Sequence, residues 1–262
     1  MKVGLIQICS VLEPETNLKK IRAFLKTARD KDLEAVFLPE CFYSMSDGTK
    51  PTPYLVDGND EHYKEIKKLA TDYSLYIIGG SAATVKDGNV VNRNYNFDPK
   101  GNDLGHYDKI HLFSCDIRDS KGEKKVINES DIYVPGSEPK LIKVGPLKVG
   151  LSICFDIRYP QMYGKYVEQG ANLICISAAF TVPTGNAHWH TLVRARAIEN
   201  QCFIIAPAQW GKNNERIQTF GHSLIVDPWG KVLVDAKEGE KLVTAELDLA
   251  QVIETRHKIK VF

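Results

Sequence analysis

Lys148-Val149-Gly150-Leu151-Ser152-Ile153, ending on Cys154, opens in the same way as Lys2-Val3-Gly4-Leu5-Ile6 near the start of the chain. Each run is short and apolar, and each is followed by a helix-period segment and a second apolar run. That second run is Ala35-Val36-Phe37-Leu38 in the first case and Asn172-Leu173-Ile174-Cys175-Ile176-Ser177 in the second. A β-α-β plan used twice predicts an α/β fold with two pseudo-symmetric halves. Packing their sheets face to face gives a four-layer α-β-β-α sandwich. Lys-Val-Gly-Leu is also a common way to open a strand, so a chance repeat is the competing reading.

Between these anchors the pattern predicts a strand over Val3 to Ile8 and a helix opened by Pro14, with Leu18, Ile21, Leu25 and Ala28 on one face. A second helix is expected around Glu61 to Tyr73, then a strand at Tyr76-Ile77-Ile78, then a hairpin turn at Lys86-Asp87-Gly88-Asn89. From there to about Pro139 the chain reads as polar and loop-rich. No linker rich in Pro, Gly or Ser separates the halves, so residues 1–262 are expected to form one domain.

In open α/β sheets, functional groups gather outside the carboxyl ends of the strands. Polar residues in otherwise apolar strand-end surroundings therefore matter most: Glu40 after Phe37-Leu38-Pro39, Cys154 after Ser152-Ile153, and Lys109 between Tyr107-Asp108 and Ile110. Together a carboxylate, an ammonium and a thiol suit nucleophilic catalysis. Glu accepts the thiol proton, while Lys lowers the thiol pKa and neutralises an oxyanion. Taken singly, each residue is ordinary: a strand-end Cys packs, a Glu after Pro is solvated, and a Lys beside Asp108 forms a surface ion pair.

The wording of the segments goes further. Leu38-Pro39-Glu40-Cys41-Phe42, Tyr107-Asp108-Lys109-Ile110-His111-Leu112-Phe113 and Cys154-Phe155-Asp156-Ile157-Arg158-Tyr159-Pro160 closely resemble, in this order, the three signature blocks of the nitrilase or carbon-nitrogen hydrolase superfamily. The resemblance spans nearly the whole chain and implies the same four-layer sandwich. It makes Glu40 the general base, Lys109 the oxyanion-stabilising cation and Cys154 the nucleophile, with the backbone N–H of Phe155 as second oxyanion donor. Glu129, in Glu129-Ser130-Asp131-Ile132-Tyr133, matches the family's auxiliary glutamate. Asp156 and Arg158-Tyr159-Pro160 look like the amidase branches, where true nitrilases carry Trp-Glu after the cysteine. Gly185-Asn186-Ala187-His188-Trp189, Arg194 to Asn200 and Ala208-Gln209-Trp210-Gly211 resemble the subgroup of deaminated glutathione amidase and ω-amidase, nearer the former. The resemblance also implies a homodimer or larger homo-oligomer and a small amide substrate. An inactive binding protein of the same fold is the competing class. Two departures stand out: Lys260 occupies the place of a family proline, and Ser114-Cys115 stands where an Asp is common.

Composition narrows the alternatives. The 34 Lys and Arg against 33 Asp and Glu leave a formal charge of +1, so no net field favours nucleic acid or an anionic membrane surface. No apolar run reaches the roughly 18 residues of a membrane span, and the opening residues are too polar for a signal peptide. A cytoplasmic enzyme is expected. The six cysteines are widely spaced, with no C-x-x-C pair, which disfavours a disulfide framework or a structural zinc. His188 and His190 point to different faces of a helix, and Gly79-Gly80-Ser81 lacks dinucleotide-site spacing, so neither metal nor cofactor is expected. Lys121, Glu123, Lys124 and Lys125 read as a solvated loop, and Arg194 and Arg196 lie too close in sequence to face one pocket together.

Overall fold

The computed structural model describes residues 1–118 and 124–261. The first half runs β1 (Lys2–Gln7), α1 (Pro14–Asp30), β2 (Ala35–Phe37), α2 (Glu61–Thr71) and β3 (Tyr76–Ile78). Pro14 occupies the first turn of α1, where its missing N–H costs nothing, and Leu18, Ile21, Leu25 and Ala28 are all buried. Asp60 caps α2 by accepting the Tyr63 N–H at 2.8 Å.

The chain then forms β4 (Ser81–Lys86), β5 (Asn89–Asn94), β6 (Tyr107–Asp108), β7 (Ser114–Arg118), β8 (Lys124–Asn128) and β9 (Lys140–Val144). The hairpin joining β4 to β5 has Asp87 at φ +51° and Gly88 at φ +76°, the two positive angles that a tight two-residue turn needs. The polar stretch after it is therefore not loop alone. Asn92, Asn94 and Asn96 are buried and hydrogen-bonded, so polarity there marks an interior network instead of solvent. Lys124 and Lys125 fall on β8 and not in a loop, while Lys121 and Glu123 lie outside the described residues.

The second half repeats the plan with β10 (Leu147–Ile153), α3 (Pro160–Glu168), β11 (Leu173–Ser177), α4 (Val182–Asn200) and β12 (Phe203–Ala206). Then follow β13 (Trp210–Lys212), β14 (Gln218–Phe220), β15 (Leu224–Val226), β16 (Val232–Asp235), β17 (Lys241–Glu246) and α5 (Ala250–Lys258). Strands β1, β2 and β3 are parallel neighbours, and so are β10, β11 and β12. Antiparallel strands complete the sheets in the orders β17-β1-β2-β3 and β16-β15-β12-β11-β10-β9. Both halves thus share one parallel β-α-β-α-β core, which contains and extends the β-α-β plan that the repeat predicted.

Alternation along the strands sorts the layers. Ile6, Val36 and Ile77 pack with the α1 and α2 face, whereas Val3, Leu5, Ala35, Phe37 and Ile78 join one core with the second sheet. The sheets meet closely at their carboxyl ends. The Ser177 hydroxyl donates towards Leu38 O and Gly79 O, and a Cβ on Gly79 would stand 2.6 Å from the Cys175 sulfur. On the outer side of the second sheet, Gly150 gives the Tyr166 ring of α3 its seat, since a Cβ there would lie 2.6 Å from that ring. Helices outside two facing sheets make the four-layer sandwich. No helix among the described residues is long and apolar enough to cross a membrane.

Candidate active site

The facing sheets bring their carboxyl ends to one place, and the small strands β4 to β8 close over it. Glu40 follows β2 by three residues, and its carbonyl accepts a 2.9 Å hydrogen bond from the Gln209 amide. Lys109 immediately follows β6, with its N–H on Asn92 O at 2.9 Å. Glu129 immediately follows β8, and its backbone N–H donates to Phe113 O at 2.8 Å. Cys154 begins a 3₁₀ turn over Cys154–Arg158 directly after β10, in a left-handed conformation at φ +49°. Such strain in a residue with a side chain is held by its surroundings and turns the thiol out of the sheet.

The four side chains form one cluster. Lys109 Nζ donates to Glu40 Oε1 at 2.9 Å and to Glu129 at 2.8–2.9 Å, with 0 % of its side chain and 3 % of Glu40's exposed. A buried ammonium at that depth must be paired, and two carboxylates pair it. Asn92 Nδ2 donates to the same Glu40 oxygen at 2.9 Å, while Phe113 N–H donates to Glu129 Oε2 at 2.7 Å. The Cys154 thiol stands beside the Glu40 carboxylate and the Ala179 N–H, and both act on its charge.

Burial decides the electrostatics. Burial pushes the Glu40 carboxyl up, Lys109 pulls it back, and Glu129 raises it again. Lys109 stands well above the usual ammonium range: burial opposes its charge, but Glu129 and Glu40 outweigh that. The Cys154 thiol is pushed well above its ordinary value by burial and by Glu40, against the pull of Lys109. Lys109 pulls this thiol down, as the sequence led one to expect, but burial and Glu40 outweigh it. In this shift two carboxylates and a dry surround outweigh one ammonium.

Asp156 organises the rest. Fully buried, it accepts from Tyr107 OH at 2.7 Å, His111 N–H at 3.0 Å and Ile153 N–H at 2.9 Å, with His111 Nδ1 2.8 Å away. This one carboxylate joins the turn that holds Cys154 to the segment that holds Lys109. Phe155 lies in the first turn of that 3₁₀ helix, where backbone N–H groups have no intrahelical acceptor and remain available. Asn92, Gln209 and the bracing role of Asp156 escaped sequence reasoning. In the sequence Asp156 marks only the amidase branches, and Asn92 falls in a stretch whose polarity reads as loop.

A cavity of about 110 Å³ opens onto Cys154, Glu40 and Glu129, walled by Phe155 and Phe180 with Arg158 at one side. The Arg158 guanidinium lies 5.5 Å from the Phe155 ring and 5.6 Å from Phe180, within 3.2 Å of His188 Nδ1. Among the described residues that line the cavity it is the cation not committed to Glu40 and Glu129. Arg194 and Arg196 are engaged elsewhere, on Gly230 O and on Ile157 O with Glu199. Cys41, at φ +53°, also lines the cavity, and its backbone N–H donates to Ser81 Oγ at 2.9 Å.

Comparison with known proteins finds relatives along the whole chain. The sequence model of the carbon-nitrogen hydrolase family matches residues 2–257. A deaminated glutathione amidase from Dictyostelium discoideum is 34% identical over 271 residues, covering 100% of this chain and 92% of that protein. The human omega-amidase NIT2 is 32% identical over 262 residues, covering 100% and 93%. The nitrilase and fragile histidine triad fusion protein of Caenorhabditis elegans is 34% identical over 267 residues, where 99% of this chain spans 59% of the fusion. Among solved structures, Nit3 of Saccharomyces cerevisiae, a member of branch 10 of the nitrilase superfamily, superposes with a TM-score of 0.88 at 28% identity, covering 100% of this chain and 94% of that one.

Proposed function

The chain belongs to the carbon-nitrogen hydrolase family, and on that premise we propose that it cleaves the terminal amide of a small carboxylated amide, such as an amide of a 2-oxo acid, and releases ammonia. The observation that carries the reading is that the Glu40 carboxylate holds the buried Lys109 ammonium at 2.9 Å and lines one cavity together with Cys154. The cycle begins when Cys154 passes its proton to Glu40 as the sulfur attacks the amide carbon. Lys109 Nζ and the Phe155 N–H hold the oxyanion. Glu40 then gives the proton to the departing nitrogen, the C–N bond breaks, and ammonia leaves a thioester on Cys154. Water that loses a proton to Glu40 attacks the thioester; the acid departs and the thiol regains its proton. Glu129 keeps Lys109 directed at the reacting oxygen.

The carboxylate preference rests on Arg158, whose guanidinium offers the described cavity wall a planar fork for an anionic group. Deaminated glutathione is the first substrate to try and 2-oxoglutaramate the second. The active unit is a homodimer built on the exposed Tyr159-Pro160 face and the C-terminal segment, where Ile253, Ile259 and Val261 are exposed. Sedimentation should then give about twice 29.4 kDa, and a fully active monomer would overturn that assembly. The function itself is tested by ammonia release from a panel of 2-oxo acid amides, carbamoyl compounds and nitriles. Turnover is expected on the carboxylated amides and is weakened in Arg158→Ala by a rise in KM. No ammonia from any member would return the chain to the binding-protein reading.

A further inference from the structure

Outside the cavity of Cys154, three elements that are distant in sequence converge. His190 lies on α4, His222 lies between β14 and β15, and Asp235 ends β16. His190 Nε2 is 3.2 Å from Asp235 Oδ2, and His222 Nδ1 is 3.0 and 3.1 Å from the two oxygens of the same carboxylate. The three donor atoms lie within 4.8 Å of one another. The imidazole rings stand 4.9 Å apart at 71°, which leaves a wedge between them, and Phe220 stacks on His222 at 4.5 Å.

From this juxtaposition of His190, His222 and Asp235 we propose a binding site for one divalent transition-metal cation of the zinc class. Two imidazoles and a carboxylate are the donor set such a cation takes. Around a four-coordinate zinc with bonds of about 2.0–2.2 Å, neighbouring donors stand roughly 3.4 Å apart, a few tenths beyond the present separations from Asp235. The imidazoles need to close by up to about 1.4 Å. A hydrogen-bonded brace, with one carboxylate oxygen near both ring nitrogens, is the competing reading that the titration below separates from a metal site. A cation at the convergence point replaces the ring protons that now face the carboxylate.

The supports of a metal site are also in place. Asp235 Oδ1 accepts the Lys237 N–H at 2.8 Å, which fixes the carboxylate. His222 is held at φ +53°, its N–H on Lys237 O at 3.0 Å and its carbonyl under the Trp189 indole N–H at 2.7 Å. A left-handed histidine clamped from both sides is a conformation the surroundings enforce. The side chains are 39 % exposed for His190 and 23 % each for His222 and Asp235, which leaves an entry path and room for water as the remaining ligand.

The test titrates chelator-treated Cys154→Ala protein, in which the catalytic thiol cannot compete, with Co(II) followed by visible absorption and with Zn(II) followed by calorimetry. One equivalent is expected, with the absorption of a four- or five-coordinate N/O site and a rise in melting temperature on metal addition. His190→Gln leaves the His222–Asp235 contact in place, so its circular dichroism should be unchanged while metal affinity falls at least about tenfold. Asp235→Asn should lose the site as well. Absence of a one-equivalent site, or one that survives in both variants, would overturn the assignment.

Discussion

Cys41 and Cys154 make an instructive pair. Each follows a strand of a parallel core, each has a left-handed backbone at φ +53° and +49°, and both thiols line the same cavity. Burial and the charge of Glu40 push both thiols well up. Strain, location and acidity therefore do not tell them apart. Their polar neighbours do: the Ser81 hydroxyl, which is no base, stands by the Cys41 thiol, whereas the Glu40 carboxylate and the Ala179 N–H stand by Cys154. A thiol that is protonated at rest becomes a nucleophile only where a base stands ready to take the proton.

The harshest way to break this comparison is to remove each sulfur in turn. Cys154→Ala should lower kcat by at least about 10⁴-fold, and Cys41→Ala should stay within a few-fold of the parent, with circular dichroism unchanged in both. Equal losses would mean that the partner of the thiol is not what separates them. A second probe removes the brace beneath Cys154. Asp156→Asn puts an amide among N–H donors that now meet a carboxylate, and it should cost about 3 kcal/mol in chemical denaturation along with a loss of kcat. Full stability in that variant would show that the turn holds Cys154 without it.

The smallest effect sharpens the electrostatics. Glu40 works as a base only when ionised, and burial raises its pKa, so kcat/KM should fall as pH drops through a value above the ordinary carboxylate range. Glu129 contributes to that rise. Glu129→Gln should therefore move the acid limb to lower pH, by up to about one unit, besides reducing the rate. An acid limb at an ordinary carboxylate pKa would contradict the assignment of Glu40 as a buried base.

Much of this architecture was legible in the chain. The paired β-α-β runs could be read because both parallel cores are continuous apolar strands, and Glu40, Lys109, Glu129 and Cys154 sit in short segments that identify themselves. Adjacent residues show where reading stops. Asp108 pairs with Arg93 at 2.6 Å and Lys86 at 3.0 Å, while Lys109 turns inward to two carboxylates contributed from 69 and 20 residues away. A lysine beside an aspartate looks like a surface pair until the fold supplies those partners. Strand β5 was missed because its asparagines are polar yet buried, and periodicity registers apolar residues alone. The net direction of the Cys154 shift was not legible because sequence gives the neighbouring charges but not the depth at which they are buried.

The central claim is that Cys154 carries the acyl group and Glu40 takes the thiol proton. Mass spectrometry of the protein mixed with a slow amide substrate and quenched early tests both at once. An acyl adduct is expected on the peptide containing Cys154, absent from the peptides of Cys41, Cys115 and Cys202, and not formed by Glu40→Gln. An adduct on any of those other cysteines, or turnover that persists after Cys154 is fully alkylated, would contradict it.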